Sequence, residues 1–234
     1  MILHDDADVV AIDKPSGLAA IPGRDEADSV LQKLSEQLSC KLLVVHRLDK
    51  DTSGVMLFAK HTDAQRHLSH QFQNNTVQKE YLALVAGHPQ QREGEIDAPI
   101  GVHPTHTKMM AVLKHGGRPA RTLWKVEQQF RNFALLRVFP KTGKTHQIRV
   151  HLAHIGLPLA IDPLYHHRAG PILLSQFKRN YRPKPEGERP LIDRLTLHAE
   201  KLRFTHPDGR PIEIVSALPK DFRSTLNMLA KYAR

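Results

Sequence analysis

Apolar positions recur along this chain with two periods, and the switches between them lay out the elements. A short β-branched run at 9–12 reads as a strand, broken by the turn Lys14-Pro15-Ser16-Gly17. Residues 18–21 resume as a strand before Pro22-Gly23. Helical spacing comes next: Asp28-Ser29 is a capping signal, with Val30, Leu31, Leu34 and Leu38 on one face behind it. The apolar runs 42–45 and 55–59 enclose the polar stretch His46-Arg47-Leu48-Asp49-Lys50-Asp51-Thr52-Ser53-Gly54. That pattern predicts two strands joined by a loop that presents Asp49. Thr62-Asp63 is a second capping signal, and Ala64, Leu68 and Phe72 make 63–74 an amphipathic helix. Residues 77–86 alternate around Tyr81, Leu82 and Leu84 as a strand.

The second half continues in the same way. Residues 88–119, richer in Pro, Gly and His, read as a loop-and-hairpin excursion turning at Gly116-Gly117. Residues 122–130 and 134–139 form an antiparallel pair around Arg131-Asn132. Thr145 caps a helix through His146 and His154 that Gly156 ends. An exposed basic loop spans 166–190, with Lys178, Arg179, Arg182, Lys184 and Arg189. Residues 195–204 and 211–215 flank the turn Pro207-Asp208-Gly209 as a hairpin. The last segment, 221–232, is a helix with Phe222, Leu226 and Leu229 inward. Strands dominate and several are hairpin-paired, so the expected class is α+β with a largely antiparallel sheet. No repeat or Gly/Ser linker interrupts the chain, and one domain over 1–234 is the simplest organisation.

Composition narrows the partners. The chain has 234 residues, 40% of them hydrophobic, enough for a substantial core. Lys plus Arg outnumber Asp plus Glu by 34 to 24, a net charge of +10, which favours a polyanion such as RNA or DNA. Cys40 is the only cysteine, so neither an intramolecular disulfide nor a Cys-rich zinc site can be built, and a reducing cytoplasm is expected. The acidic N-terminus does not read as a signal peptide, and no apolar run is long enough to span a bilayer.

Three stretches can carry chemistry. Asp49 is flanked by Arg47 and Lys50, cations that would keep its carboxylate ionised as a nucleophile, base or electrostatic stabiliser. Asp51 would share a face with it in an extended chain, and paired carboxylates suit glycoside chemistry. Asp51 better suits a turn residue bonding to the backbone near Ser53. The basic stretch 141–149 opens with a glycine turn and enters a helix, an anion-binding arrangement without P-loop spacing. Within it His146 and Arg149 share a face and can reach a phosphate or a carboxylate. Tyr81 can pack, stack on a base or move a proton. Sixteen histidines include the i, i+3 pair His151 and His154 and the pair His166-His167, but no carboxylate sits at ligand spacing in that helix. No metal site and no cofactor are expected.

Taken together, four of these stretches resemble one family. His46-Arg47-Leu48-Asp49-x-x-Thr52-Ser53-Gly54 resembles the signature of the RluA family of RNA pseudouridine synthases. Lys14-Pro15-Ser16-Gly17-Leu18, Lys79-Glu80-Tyr81 and Thr142-Gly143-Lys144-Thr145-His146-Gln147-Ile148-Arg149 resemble its other motifs, in the same order. So do Lys108-Met109, the stretch Gly117-Arg118-Pro119-Ala120-x-Thr122, and Leu197-His198-Ala199. The resemblance implies a pseudouridine synthase catalytic-domain fold: a long mixed, mainly antiparallel sheet with a central cleft. It implies Asp49 as the catalytic aspartate, Tyr81 stacking under the uracil and able to take the C5 proton, and Arg149 pairing with Asp49. Arg47 would enter the space left by the flipped nucleotide. Lys14, His46, Thr52, Lys144 and His146 would complete the RNA contacts.

The implied substrate is structured RNA, large-subunit rRNA or tRNA or both, and the implied protein is a cytoplasmic monomer. Base flipping out of a stack calls for a basic groove. Two positions depart from the family pattern. Lys144 replaces an arginine, exchanging a bidentate contact for a point charge. Ile161 replaces a glycine before Asp162, which questions a tight turn there. The N-terminal RNA-binding module of many relatives has no room before Lys14, and the run 15–24 leans toward the branch without it. Two other classes compete with the isomerase: a non-catalytic RNA-binding factor using the same residues, and an N-glycoside hydrolase in which Asp49 and Asp51 both matter.

Overall fold

The computed structural model describes residues 1–23, 28–167, 169–182 and 185–233. Arg24, which ends the run 15–24, and Lys184 of the basic loop lie outside the described residues. The strands are β1 (Ile2–Asp5), β2 (Val9–Lys14), β3 (Leu43–Val44), β4 (Ser53–Ala59), β5 (Gln78–Ala86), β6 (Glu93–Asp97), β7 (Ile100–Val102), β8 (Met110–Val112), β9 (Arg121–Gln129), β10 (Phe133–Pro140), β11 (Leu197–Thr205) and β12 (Pro211–Val215). The helices are α1 (Val30–Gln37), α2 (Thr62–Gln73), α3 (Gln147–His154) and α4 (Lys220–Tyr232). A large, mostly antiparallel sheet dominates, as the α+β expectation requires. No helix among the described residues is long and apolar enough to cross a membrane.

The chain packs as two compact units. The first comprises Met1–Tyr81, Phe139–Thr145 and His198–Ala217; the second comprises Leu82–Val138, His146–Leu197 and Leu218–Arg234. Neither is a continuous stretch of sequence.

In the first unit β2 pairs antiparallel with β1 and β4, β11 pairs antiparallel with β12, and β4 and β11 run parallel. Both faces of this sheet are covered, which is why β4 is buried throughout and apolar from Val55 to Ala59. Val9, Ala11, Val55 and Leu57 point to a cluster that includes Ala64 and Leu68 of α2. Val10, Ile12, Met56 and Phe58 point the other way, toward Val30 and Leu34 of α1. Successive strand residues alternate between faces, so a doubly covered strand must be apolar at every position. Ser29 caps α1 as its sequence predicts, accepting from the Gln32 N–H. At α2 the cap is His61, whose Nδ1 accepts from the Ala64 N–H; Thr62 and Asp63 are already inside the first turn. Residues 18–21 form no strand, only a bridge between Ala19 and Ser29.

In the second unit the strand order is β5, β10, β9, β6. The excursion 88–119 divides in two. Its first part is β6, paired antiparallel with β9, and its second is the β7–β8 hairpin, turning at 103–109 and not at Gly116-Gly117. Gly117 instead allows a close approach, since a Cβ there would lie 3.0 Å from Pro99. Phe222, Leu226 and Leu229 of α4 join Leu82, Leu84, Phe130 and Leu135 in the core. Thr145 does not cap α3. His146 holds that position in the left-handed region (φ 54°), with no side-chain capping bond. The other end follows prediction: Gly156 has φ +77°, and Gly156 N–H and Leu157 N–H bond to the carbonyls of Ala153 and Leu152, a Schellman termination. Ile161 has no positive φ and its side chain fills the core, so a glycine's freedom is not needed there.

Candidate active site

The loop carrying Asp49 is fixed by residues from the preceding motif. Lys14 is fully buried, and its ammonium donates to the carbonyls of Lys50 (2.7 Å), Pro15 (2.8 Å) and Leu18 (2.8 Å). Ser16 Oγ donates to the Asp51 carbonyl, and the Gly17 N–H to that of Lys50. The Thr52 N–H bonds back to the Asp49 carbonyl, closing a tight turn. Leu48 is anchored in the α1-side core, Arg47 and Lys50 are exposed, and Asp49 between them is half-buried.

Three residues expected to contact RNA carry structural contacts in this geometry. Lys14 and Thr52 are buried and brace the loop from inside. His46 stacks on Phe72 with ring centroids 4.5 Å apart, and its Nε2 accepts from the Leu57 N–H. That bond requires an unprotonated Nε2, and burial, with help from the charge of Lys79, pushes the His46 pKa down to about 3. A neutral, stacked imidazole is a brace for the start of the loop and offers no cation to a phosphate.

The downstream end of the loop shows why Ser53-Gly54 and His198-Ala199 occur together. β4 and β11 pair in parallel at Ser53↔His198 and Gly54↔Ala199. Gly54 has φ +116°, and any Cβ there would run into the Ala199 backbone. His198 is fully buried; its Nε2 donates to the Ser216 carbonyl, so Nδ1 is the acceptor for the Ser53 hydroxyl. Two motifs 145 residues apart are one packing unit.

Tyr81, half-buried at the edge of the α1-side core, belongs to the same unit as Asp49. Burial, and then the negative charge of Asp49, raises its pKa above the ordinary phenol value. The hydroxyl is therefore firmly protonated at neutral pH. The same unit carries a cationic group. Lys79 donates to the Thr142 carbonyl at 3.1 Å, and burial followed by the charges of Lys144 and Lys141 lowers its pKa to about 8.

His146 and Arg149 lie in the second unit. Arg149 is buried and grips Asp162 with two parallel bonds of 2.8 Å, Nε to Oδ2 and Nη2 to Oδ1. Asp162 also accepts from the N–H groups of Leu164 and Tyr165. The guanidinium sits 5.1 Å from the centre of the Tyr165 ring, whose hydroxyl accepts from the Met110 N–H and bonds His146 Nδ1 at 2.8 Å. Tyr165 was not picked out by motif, and Asp162 stood out only as the position after Ile161. The signal was present: a lone carboxylate after an apolar run, with an aromatic three residues on. His151, one of the metal candidates, bonds Thr122 and the Ala98 carbonyl, and His166 bonds the Leu159 carbonyl.

A family model described as RNA pseudouridylate synthase matches residues 8–154, more than half of the chain and the whole stretch from Lys14 to Arg149. The chain belongs to this family. It is 40% identical to a protein of Nitrosomonas europaea named ribosomal large subunit pseudouridine synthase D, over 97% of this chain and 64% of that relative. A Haemophilus ducreyi protein of the same name is 38% identical, over 97% of this chain and 70% of the relative. The chain thus spans about two thirds of the length of these pseudouridine synthase relatives. Among solved structures it is similar to human RNA pseudouridylate synthase domain containing 4, with a TM-score of 0.72 and 27% identity over 98% of this chain and 92% of that one. The domain containing 1 structure gives the same TM-score at 26% identity, over 93% and 83%.

Proposed function

We propose that the chain is an RNA pseudouridine synthase that isomerises uridine in large-subunit rRNA, tRNA or both. The observation that carries this reading is the Asp49 loop: a half-buried carboxylate on a braced turn, with a protonated tyrosine in its electrostatic reach. Family membership and the printed names of the relatives supply the RNA and the reaction.

In the reaction the N1–C1′ bond breaks, C5–C1′ forms, C5 loses a proton and N1 gains one, with no net redox change. Asp49 engages the flipped nucleotide at the ribose or base, and the family resemblance gives Arg149 the role of holding its charge. Tyr81 stacks on the uracil. Its raised pKa argues against service as the C5 base, because the phenolate form is suppressed. Arg47, exposed beside Asp49, takes the place left by the flipped base. Lys144 with Lys79 and Lys141, together with His146, receives RNA backbone phosphates. The protein acts as a cytoplasmic monomer. It has one catalytic domain over 1–234, and the interleaving of the two units in sequence supports that organisation.

Incubation with RNA tritiated at uracil C5 tests this. Tritium should be released by the wild type and by Asp51→Asn, and Asp49→Asn should lose at least about a thousandfold in rate. Binding without release would favour the RNA-binding factor, and free uracil as product would favour the hydrolase.

A further inference from the structure

A second cluster of chemistry-bearing side chains lies in the first unit, at the opposite end of β2 from Lys14. It draws on the β1–β2 turn, the residue before α2 and the β11–β12 turn. His206 is almost fully buried there, and its Nε2 has no hydrogen-bond partner. Two carboxylate oxygens flank that nitrogen, Oδ2 of Asp6 at 3.1 Å and Oδ2 of Asp8 at 3.5 Å. A protonated imidazole would aim its N–H at one of them, yet neither contact has hydrogen-bond geometry. All three atoms lie within 4.8 Å of one another. Two ligands of one tetrahedral ion, each about 2.1 Å away from it, are about 3.4 Å apart.

The surroundings are also those of a ligand set. Oδ1 of Asp6 is turned away, accepting the N–H groups of Asp8 and Val9, and His4 Nε2 lies 2.7 Å from its Oδ2. Asp8 directs Oδ1 to His61 Nε2 at 2.7 Å, leaving Oδ2 for the centre of the cluster. On the far side of His206, Nδ1 is 2.9 Å from a carboxylate oxygen of Asp208. The Asp208 N–H also approaches Nδ1, at 3.3 Å; with the proton on Nδ1 shared toward the shorter carboxylate contact, Nε2 presents its lone pair, as metal-bound histidines require. Lys60, the neighbouring cation, is directed to the Asp6 carbonyl and the Asp5 carboxylate.

We propose that Asp6, Asp8 and His206 form a site for a divalent first-row cation of the zinc type, with His4, His61 and Asp208 as its outer shell. The nitrogen ligand selects such an ion over magnesium or calcium. The ion staples two segments distant in sequence and plays no part in the isomerisation, because β2 separates it from the Asp49 loop by about 17 Å.

The test uses the full chain, stripped with chelator and dialysed against Zn2+. The wild type should retain one zinc per chain and gain thermal stability. His206→Gln should bind at least about tenfold more weakly. Asp8→Asn, at a half-exposed position that folding tolerates, should do the same, while His70→Ala, a surface histidine of α2, should match the wild type. Substitution with Co2+ should give the visible bands of a nitrogen–oxygen site. Equal zinc retention by wild type, His206→Gln and Asp8→Asn would overturn the proposal, as would an equal stabilisation by Mg2+.

Discussion

Lys14 ends β2 with its ammonium turned inward, and its three N–H donors match three carbonyls. Lys14→Met would keep most of the volume and leave those carbonyls unpaired, at a cost of about 3 kcal/mol, read from the urea midpoint. Its turn was visible in the sequence, but its burial was not, because one of the three acceptors comes from a loop 36 residues away. Arg149 shows the same limit. Its motif marked it as functional, whereas the partner Asp162 lies 13 residues on, outside the four motif stretches. Asp162→Asn leaves a buried guanidinium beside a neutral amide, and about 3 kcal/mol or more of stability should be lost. Asp49→Asn, at a half-buried position, should leave the melting temperature nearly unchanged. Tyr81 separates stacking from proton transfer. Tyr81→Phe should retain far more tritium release than Tyr81→Leu; equal losses would return the hydroxyl to a proton-transfer role.

At the scale of elements, period and capping read well where one chain segment decides the outcome. Helices α1 and α4 and the β11–β12 hairpin stand where their apolar spacing puts them. The misreadings occur where a distant segment intervenes. Helix α2 starts one residue early because His61 can accept from Ala64 while its other nitrogen reaches Asp8. Helix α3 starts from a left-handed His146 because Tyr165 engages that ring. His61→Ala should therefore cost about 1 kcal/mol as a lost cap. Gly54→Ala is a larger change, since the added methyl would meet backbone and not a movable side chain. It should abolish the folded protein, seen as loss of the cooperative thermal transition, and not merely slow the reaction.

For the whole molecule, the net charge of +10 predicts RNA affinity that falls steeply with salt. Replacing one phosphate-binding cation, as in Lys79→Gln, should reduce the log–log salt slope by about one. Lys79 adds a pH signature. Its lowered pKa means the charged form is disfavoured in the fold, so it costs stability below about 8, and that cost disappears by the ordinary value of 10.5. The charge offered to RNA runs the other way, present below about 8 and lost as pH rises through it. Wild-type affinity at fixed ionic strength should weaken between pH 7 and 9, and that of Lys79→Gln should change less. The reaction class was legible because four motifs converge on it. The cationic cluster was not, because Lys79 and Lys144 are 65 positions apart and become neighbours only through the fold.

The parallel pairing of Gly54 with Ala199 has a consequence for synthesis on the ribosome. At about 5–20 residues per second, β11 leaves the ribosome roughly 7–30 s after β4. Until then β3 covers that edge of β4 only at Phe58 and Ala59, its Ser53–Gly54 end lacks the β11 partner, and the small residue that admits β11 gives that end no gatekeeping side chain of its own. The nascent chain should be most prone to chaperone capture and aggregation in that interval. Slowing translation between codons 60 and 197 should lower the soluble yield, while slowing it after codon 217 should not.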